Sequence, residues 1–185
     1  AAEILLAATG AISVADGSVI TATGSLSDER DGAYLLGDST TAGTGTLLRV
    51  ANGPERLTRR TNFTNAASLT VGAATLSGTT VMFDSSGRVA LADALVLKNA
   101  TSVALAAGRI GLGITDAGYD GVVVTPQMQA LLTQSGGRLT LRSQSSIDFA
   151  DGTYSFGDVR FDAATLAGTG GGAVVVEGDT VTLSN

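Results

Sequence analysis

Cysteine and histidine are both absent from this sequence. Without cysteine there is no disulfide, no thiolate nucleophile and no sulfur ligand for a metal. That absence identifies no compartment, but it suits a chain that must stay unfolded before export. Without histidine the commonest general base, the Ser-His-Asp triad and the usual zinc sites are all excluded. Tryptophan is missing too, and the aromatic residues are five Phe and three Tyr among 185. Only two prolines interrupt the chain. No apolar run approaches about 18 residues, so no transmembrane helix is expected. The opening residues Ala1 to Ala8 include Glu3 and lack a basic region, so they do not read as a signal peptide. Basic residues are scarce as well. Eleven Lys and Arg stand against 17 Asp and Glu, for a net charge of −6 and an isoelectric point near 4.4. Nucleic acid and anionic membrane surfaces, which attract Lys- and Arg-rich faces, are therefore not expected as partners.

The 44% hydrophobic content is mostly Ala, Val and Leu, set among 25 Gly and abundant Thr and Ser. Thr and Val favour pleated, half-buried surface, and Gly marks turns and bends. Such a composition describes a repetitive β protein with a narrow interior filled by small side chains. The chain is too apolar for low-complexity disorder, and 185 residues suffice for one sizeable core.

The strongest signal is a period. Leu139-Thr140-Leu141, Val159-Arg160-Phe161 and Val181-Thr182-Leu183 begin 20 (159 − 139) and 22 (181 − 159) residues apart. Between them lie Ile147-Asp148-Phe149 with Tyr154-Ser155-Phe156, then Leu166 with Val174-Val175-Val176. The same recurrence appears earlier, from Leu69-Thr70-Val71 to Val89-Ala90-Leu91 (20) and to Ile110-Gly111-Leu112 (21), with Val81-Met82-Phe83, Leu95-Val96-Leu97 and Val103-Ala104-Leu105 between. The outer residues of each phrase point one way and the middle one the other. This places Leu, Val, Ile and Phe inward and Thr70, Thr140, Arg142, Asp148, Arg160 and Thr182 outward. Three short strands per coil of about 21 residues describe an all-β parallel β-helix, or β-solenoid. The runner-up is a β-sandwich or a meander of hairpins.

Residues 1–65 follow the pattern loosely, as less regular coils or a separate β subdomain. Asp16-Gly17 and Asp31-Gly32 can also close hairpins there, which makes a meander of antiparallel strands the rival for this part. Arg56, Arg59 and Arg60 follow the Asn52-Gly53-Pro54 turn and form the one basic cluster visible in the sequence. They suit a small-anion or acidic-glycan contact; a solvated loop compensating nearby acids is the preferred reading. Residues 66–185 carry the regular coils, and an insertion at about 113–138 breaks them. Gly121 to Val124 reads as a strand. Thr125-Pro126 caps a short helix over Gln127 to Gln134, ended by Gly136-Gly137. Gln127 and Gln129 are the candidate partner contacts on that helix. The alternative is a lid in which Met128, Leu131 and Leu132 pack over the coil wall.

Catalytic and metal patterns are weak. Gly170-Gly171-Gly172 lacks the Asp of a calcium-binding nonapeptide. Gly111-Leu112-Gly113 and Gly168-Thr169-Gly170 lack a phosphate-loop context and read as turns or bends. Asp148, Asp151, Asp158 and Asp162 are close in sequence, but a three-faced coil puts Asp148 and Arg160 on different faces. Phe149, Tyr154, Phe156 and Phe161 match the inward parity, so core packing is preferred over a sugar-stacking platform. No cofactor or metal is expected.

The stretch Leu139 to Phe149, the Leu47-Leu48-Arg49-Val50 phrase after a Gly/Thr run, the Gly/Ala/Thr/Ser/Val bias and the missing cysteine resemble the repeats of filamentous-haemagglutinin-type adhesins. The resemblance implies a right-handed parallel β-helix within a large bacterial exoprotein, exported through a dedicated outer-membrane barrel. It carries no site residue. The resulting expectation is a non-enzymatic structural segment, secreted or at the bacterial cell surface, serving as a rod for adhesion. Its partners would be a host or neighbouring cell surface or glycan, together with further coils of the same parent chain or end-to-end self-association. A filament subunit and a polysaccharide-binding or polysaccharide-degrading β-helix are the alternatives. The chain starts and stops in mid-pattern, which reads as a piece of a longer protein.

Overall fold

The computed structural model describes residues 1–26, 44–53, 66–134 and 136–185, together with the backbone of 34–36 and 57–59. Within them the chain is all-β, with one short helix. Three strands open it: β1 (Glu3–Ala8), β2 (Ala11–Val14) and β3 (Val19–Thr21). Then come β4 (Tyr34–Leu36), β5 (Thr46–Ala51) and β6 (Leu57–Arg59). Thereafter strands arrive in threes. The first trio is β7 (Ser68–Val71), β8 (Thr75–Ser77) and β9 (Thr80–Ser85); the second is β10 (Arg88–Leu91), β11 (Val96–Lys98) and β12 (Ser102–Ala107). The next is interrupted: β13 (Ile110–Leu112), β14 (Val122–Val124), the helix α1 (Pro126–Thr133) and β15 (Arg138–Ser143). Two regular trios follow, β16 (Ser146–Phe149), β17 (Gly152–Ser155) and β18 (Asp158–Asp162), then β19 (Thr165–Gly168), β20 (Val174–Glu177) and β21 (Thr180–Ser184).

The last strand of every trio joins one seven-stranded sheet, in the order β1-β5-β9-β12-β15-β18-β21. From β9 onward all its pairings are parallel. Register aligns Val81, Val103, Leu139, Val159 and Val181 across successive strands, and Phe83, Leu105, Leu141, Phe161 and Leu183 beside them. The phrases that recur in the sequence are therefore hydrogen-bonded neighbours. Every step in the first set matches the repeat except that from Val103 to Leu139, which is longer because it carries the insertion. First strands of the trios lie in the sheets β10-β7-β2 and β14-β13-β16-β19, the second of which also takes in β14 of the insertion; second strands of the other trios lie in β11-β8-β3 and β17-β20; β4 pairs with β6.

Asp16-Gly17 closes no hairpin. The strands on either side of it pair in parallel with β7 and β8 instead, and Asp16 Oδ1 accepts from the Ala73 amide at 2.7 Å. Asp151 repeats the device with the Gly172 amide at 2.8 Å. Both acids fasten a corner to the next turn of chain. Antiparallel pairing is confined, among the described strands, to β5 between β1 and β9. Strand β1 was not foreseen: Ile4 and Leu6 sit in a mildly apolar run with no turn signal before it.

Inward residues of the long sheet, including Val81, Phe83, Leu105, Leu139, Leu141 and Phe161, are buried in one core with those of the other sheets. Each such side chain contributes about 1.5–3 kcal/mol by leaving water. The four late aromatics belong to this core: Phe149 meets Tyr154 and Phe161 edge-on at 5.5 and 5.6 Å, and Phe156 meets Phe161 at 5.8 Å. The outward side differs from expectation. Leu47, Met82, Ala104 and Ala106 form a second buried apolar cluster there, with Leu5 against it. Thr140 and Asp148, assigned outward by parity, are only 1% and 2% exposed. Parity fixes the face of a strand, whereas burial depends on what lies over that face.

Helix α1 follows its sequence signals. Thr125 Oγ1 accepts from the Met128 amide at 3.1 Å, Pro126 occupies the first turn, and Gly136 has φ +67° just beyond the end. Leu131 and Leu132 are buried in the main core and Met128 packs on it, so the apolar side of the helix covers that core.

Candidate functional site

The insertion builds a polar cleft, and two glycines make room for it. Gly111 occupies the centre of β13, and a Cβ there would meet Ile114 at 2.7 Å and the Tyr119 ring at 2.9 Å. A Cβ on Gly121 would lie 2.6 Å from the same ring and 2.7 Å from the Arg109 carbonyl. Loop 113–121 can therefore fold back over the outer side of β13, with Gly113 at φ +67° starting the turn. Asp116 Oδ1 accepts from the Gly118 amide at 2.8 Å and shapes the loop further. The sequence offered Gly111 both as the middle of a strand phrase and as part of a bend; it is a strand residue against which an aromatic ring lies, and the turn begins at Gly113.

Register then supplies the partner. Asp148 on β16 stands beside Gly111 on β13, under the Tyr119 side chain. Its Oδ2 accepts from Tyr119 Oη at 2.7 Å and from Arg109 Nε at 2.6 Å. Arg109 Nε also reaches Ser146 Oγ at 3.3 Å, and the Arg109 guanidinium lies 4.9 Å from the Tyr119 ring centre, within cation–π range. Burial pushes the Asp148 carboxyl upward, but hydrogen bonds from Tyr119, Arg109 and Ser146 outweigh it and hold the pKa below the ordinary value. Burial, then the hydrogen bond to Asp148, push the Tyr119 phenol above its ordinary value. The hydrogen bond to Asp148 likewise raises Arg109. All three groups are thus fixed in one charge state around neutrality. The arrangement suits holding and orienting rather than proton transfer, which needs a pKa near the working pH.

The cleft encloses about 200 Å³ between Ser86 to Arg88, Gly108, Arg109 and Ala117 to Gly121. Arg88 and Arg109 come from equivalent places in successive repeats. The Arg88 side chain is exposed and has no partner among the described residues. Arg109 is pinned through Nε while its side chain stays 43% exposed.

The residues chosen from sequence lie elsewhere. Arg56 and Arg60 fall outside the described residues, and Arg59 is described only as backbone of β6. Gln127 is exposed on the first turn of α1. Gln129 donates its amide to the Ser155 carbonyl at 2.8 Å, which ties the helix to β17. Neither glutamine lines the cleft. Three of the four acids that are close in sequence have separate partners: Asp148 faces Arg109, Asp151 binds Gly172, and Asp162 pairs with Arg142 at 3.0 Å. Among the described residues no three acids come together as a metal site. Tyr119 was missed because its partner is 29 residues away; its setting between Gly118 and Gly121 was the available sign.

No family model, curated protein or solved structure matches this chain.

Proposed function

We propose that this chain is a parallel β-helix segment of a bacterial secreted or surface adhesin, a rod of the filamentous-haemagglutinin type. One observation carries the reading: strands one repeat apart pair in parallel and in register, β9 with β12, and β15 with β18 and β21 in turn. A chain that repeatedly returns to the same sheet in one direction stacks as coils, each burying the inner face of the last. Seven strands spaced about 4.8 Å make a stack on the order of 30 Å tall. The role is mechanical and non-enzymatic: a continuous backbone ladder resists bending and presents loops such as 113–121 along its side. The fixed charge states around Asp148 support the non-enzymatic reading.

Absence of native cysteine makes the coil register directly testable. Asp158→Cys with Thr180→Cys places thiols on register partners and should oxidise readily, whereas Asp158→Cys with Ser184→Cys should not. Equal cross-linking of both pairs overturns the coil. Incubation with acidic and neutral glycans, with and without calcium, tests the structural role; release of unsaturated or reducing ends overturns it.

A filament subunit is the second reading, favoured by Leu166, Val175, Val181 and Leu183, which the last trio leaves exposed. Electron microscopy separates the two, since long end-to-end polymers of the purified chain support the filament.

A further inference from the structure

The outward side of the long sheet carries a second and larger recess, of about 480 Å³. Three arginines line it, Arg138, Arg142 and Arg160, and no acid does among the described residues. Hydroxyls of Thr79, Thr80, Thr101, Ser102 and Thr140 make up most of the rest. Strand geometry explains the grouping. Arg138, Thr140 and Arg142 alternate along β15 and so share one face, the two arginines about 13 Å apart. Register sets Arg160 of β18 directly beside Thr140. Three guanidinium groups thus surround one nearly buried hydroxyl. They are more than a quarter of the chain's 11 basic residues, in a protein of net charge −6.

Two acids flank the group. Asp162 lies 3.0 Å from Arg142 Nε and 3.7 Å from Arg160 Nη2, and Arg160 Nε also bonds Ser184 Oγ at 2.9 Å. Asp158 precedes the register partner of Leu139, yet it makes no ion pair with Arg138. The Arg138 side chain has no partner among the described residues. It therefore presents a complete fork of donors, and Arg160 is oriented through Nε. Such forks match a carboxylate or sulfate in two parallel hydrogen bonds. The hydroxyls of Thr79, Thr80 and Thr101 donate to the carbonyls of Ala51, Gly53 and Thr79, so toward a sugar they are oriented acceptors for its ring hydroxyls. Among the described residues no aromatic lines the recess, so they supply no stacking platform of the kind a single-stranded nucleic acid site uses.

We propose that this recess binds an acidic polysaccharide, with sugar oxyanions on Arg138 and Arg160 and ring hydroxyls along the threonine and serine row. The inference names a ligand class for the glycan-facing rod and takes only its biological setting from that reading. The parallel ladder does not depend on it.

Isothermal titration of the full chain against polygalacturonate fragments, dextran sulfate, neutral dextran and single-stranded DNA tests the site. At least one of the two acidic glycans should bind, with affinity falling as salt rises, and which of them binds tells carboxylate from sulfate recognition. Neutral dextran should not bind, and DNA should bind more weakly than the preferred glycan. Arg138→Gln should weaken binding about tenfold, and Arg160→Gln added to it should weaken it further. Arg138→Lys, which keeps the charge, should recover part of the loss. Because Arg138 has no partner to lose among the described residues, Arg138→Gln should unfold at the temperature of the parent chain, which separates loss of the site from loss of the fold. Gln127→Ala, on the exposed helix, should leave binding unchanged. Three outcomes overturn the proposal: neither acidic glycan binds better than neutral dextran, the double variant binds as the parent does, or DNA binds more tightly than both glycans. Any of these would leave the coil cross-linking result standing.

Discussion

The two trios after the insertion and the interrupted trio before them close the same core by different means. In β16 to β21 the turns are short, the inward positions are Val, Leu, Ile, Tyr and Phe, and corner acids such as Asp151 fasten one turn to the next. In the interrupted trio the added chain of the insertion is accommodated between β12 and β15, and the wall there is helix α1 with Leu131 and Leu132. The loop before that helix is held by Asp148, Tyr119 and Arg109 rather than by apolar contact. The regular trios are thus specified by spacing and side-chain size. The interruption is specified by particular residues: two glycines that accept a ring and a carboxylate that receives it.

The comparison breaks most visibly in the regular part. Phe161→Ala removes a side chain shared by two edge-on aromatic contacts and should cost about 3–5 kcal/mol in urea unfolding. A loss below about 1 kcal/mol would mean that the late core is not packed as described. Leu132→Ala should cost about 2–4 kcal/mol, but with a different pattern. Hydrogen exchange should quicken in α1 while amides of β12 and β15 stay protected, since among the described residues the helix is held by side-chain packing and the Gln129 bond to Ser155 rather than by backbone pairing with those strands. Uniform quickening would make the helix and the ladder one cooperative unit and remove the distinction.

The polar lock predicts a pH profile. Asp148 has a folded pKa below the unfolded value of about 3.9, so its contribution is complete above that value and disappears as pH falls through the folded pKa. Tyr119 has a folded pKa above the unfolded value of about 10, so its contribution is present below about pH 10 and is lost as pH rises beyond it. The urea midpoint should therefore be flat through neutrality and fall on both sides. Tyr119→Phe should cost about 1 kcal/mol at neutral pH and make the alkaline fall shallower, with Tyr154, also raised by burial, leaving a remainder. An unchanged alkaline limb would show that the ring is not bonded to Asp148. The smallest effect belongs to the helix cap: Thr125→Ala should cost about 1 kcal/mol, seen as local exchange in α1 with little change in the ladder.

Much of the ladder was legible because its cause is local. Leu139, Val159 and Val181 recur at nearly constant spacing, and the parallel register sets them side by side. Thr125-Pro126 and Gly136 marked the helix because cap chemistry is set within one turn. The strand β1 was hidden because its pairing with β5 is antiparallel and long-range, whereas the repeat points to parallel neighbours. The cleft was hidden too: Gly111 resembled a bend, and Asp148 one of several acids. Arg138, Arg142 and Arg160 were spread over two strands of successive coils, so no charge cluster showed, and Arg160 was read as stacking outward between threonines without forming a site.

The sequence by itself determined the strand content, the inward parity, the repeat length and the place where the repeat fails. These follow from side-chain period and turn chemistry, which act over a few residues. Tertiary structure decided which outward positions are buried, which acid meets which base and which arginines share a recess. Those depend on register between strands one coil apart and on what lies over each face, and neither is written in any short stretch of chain.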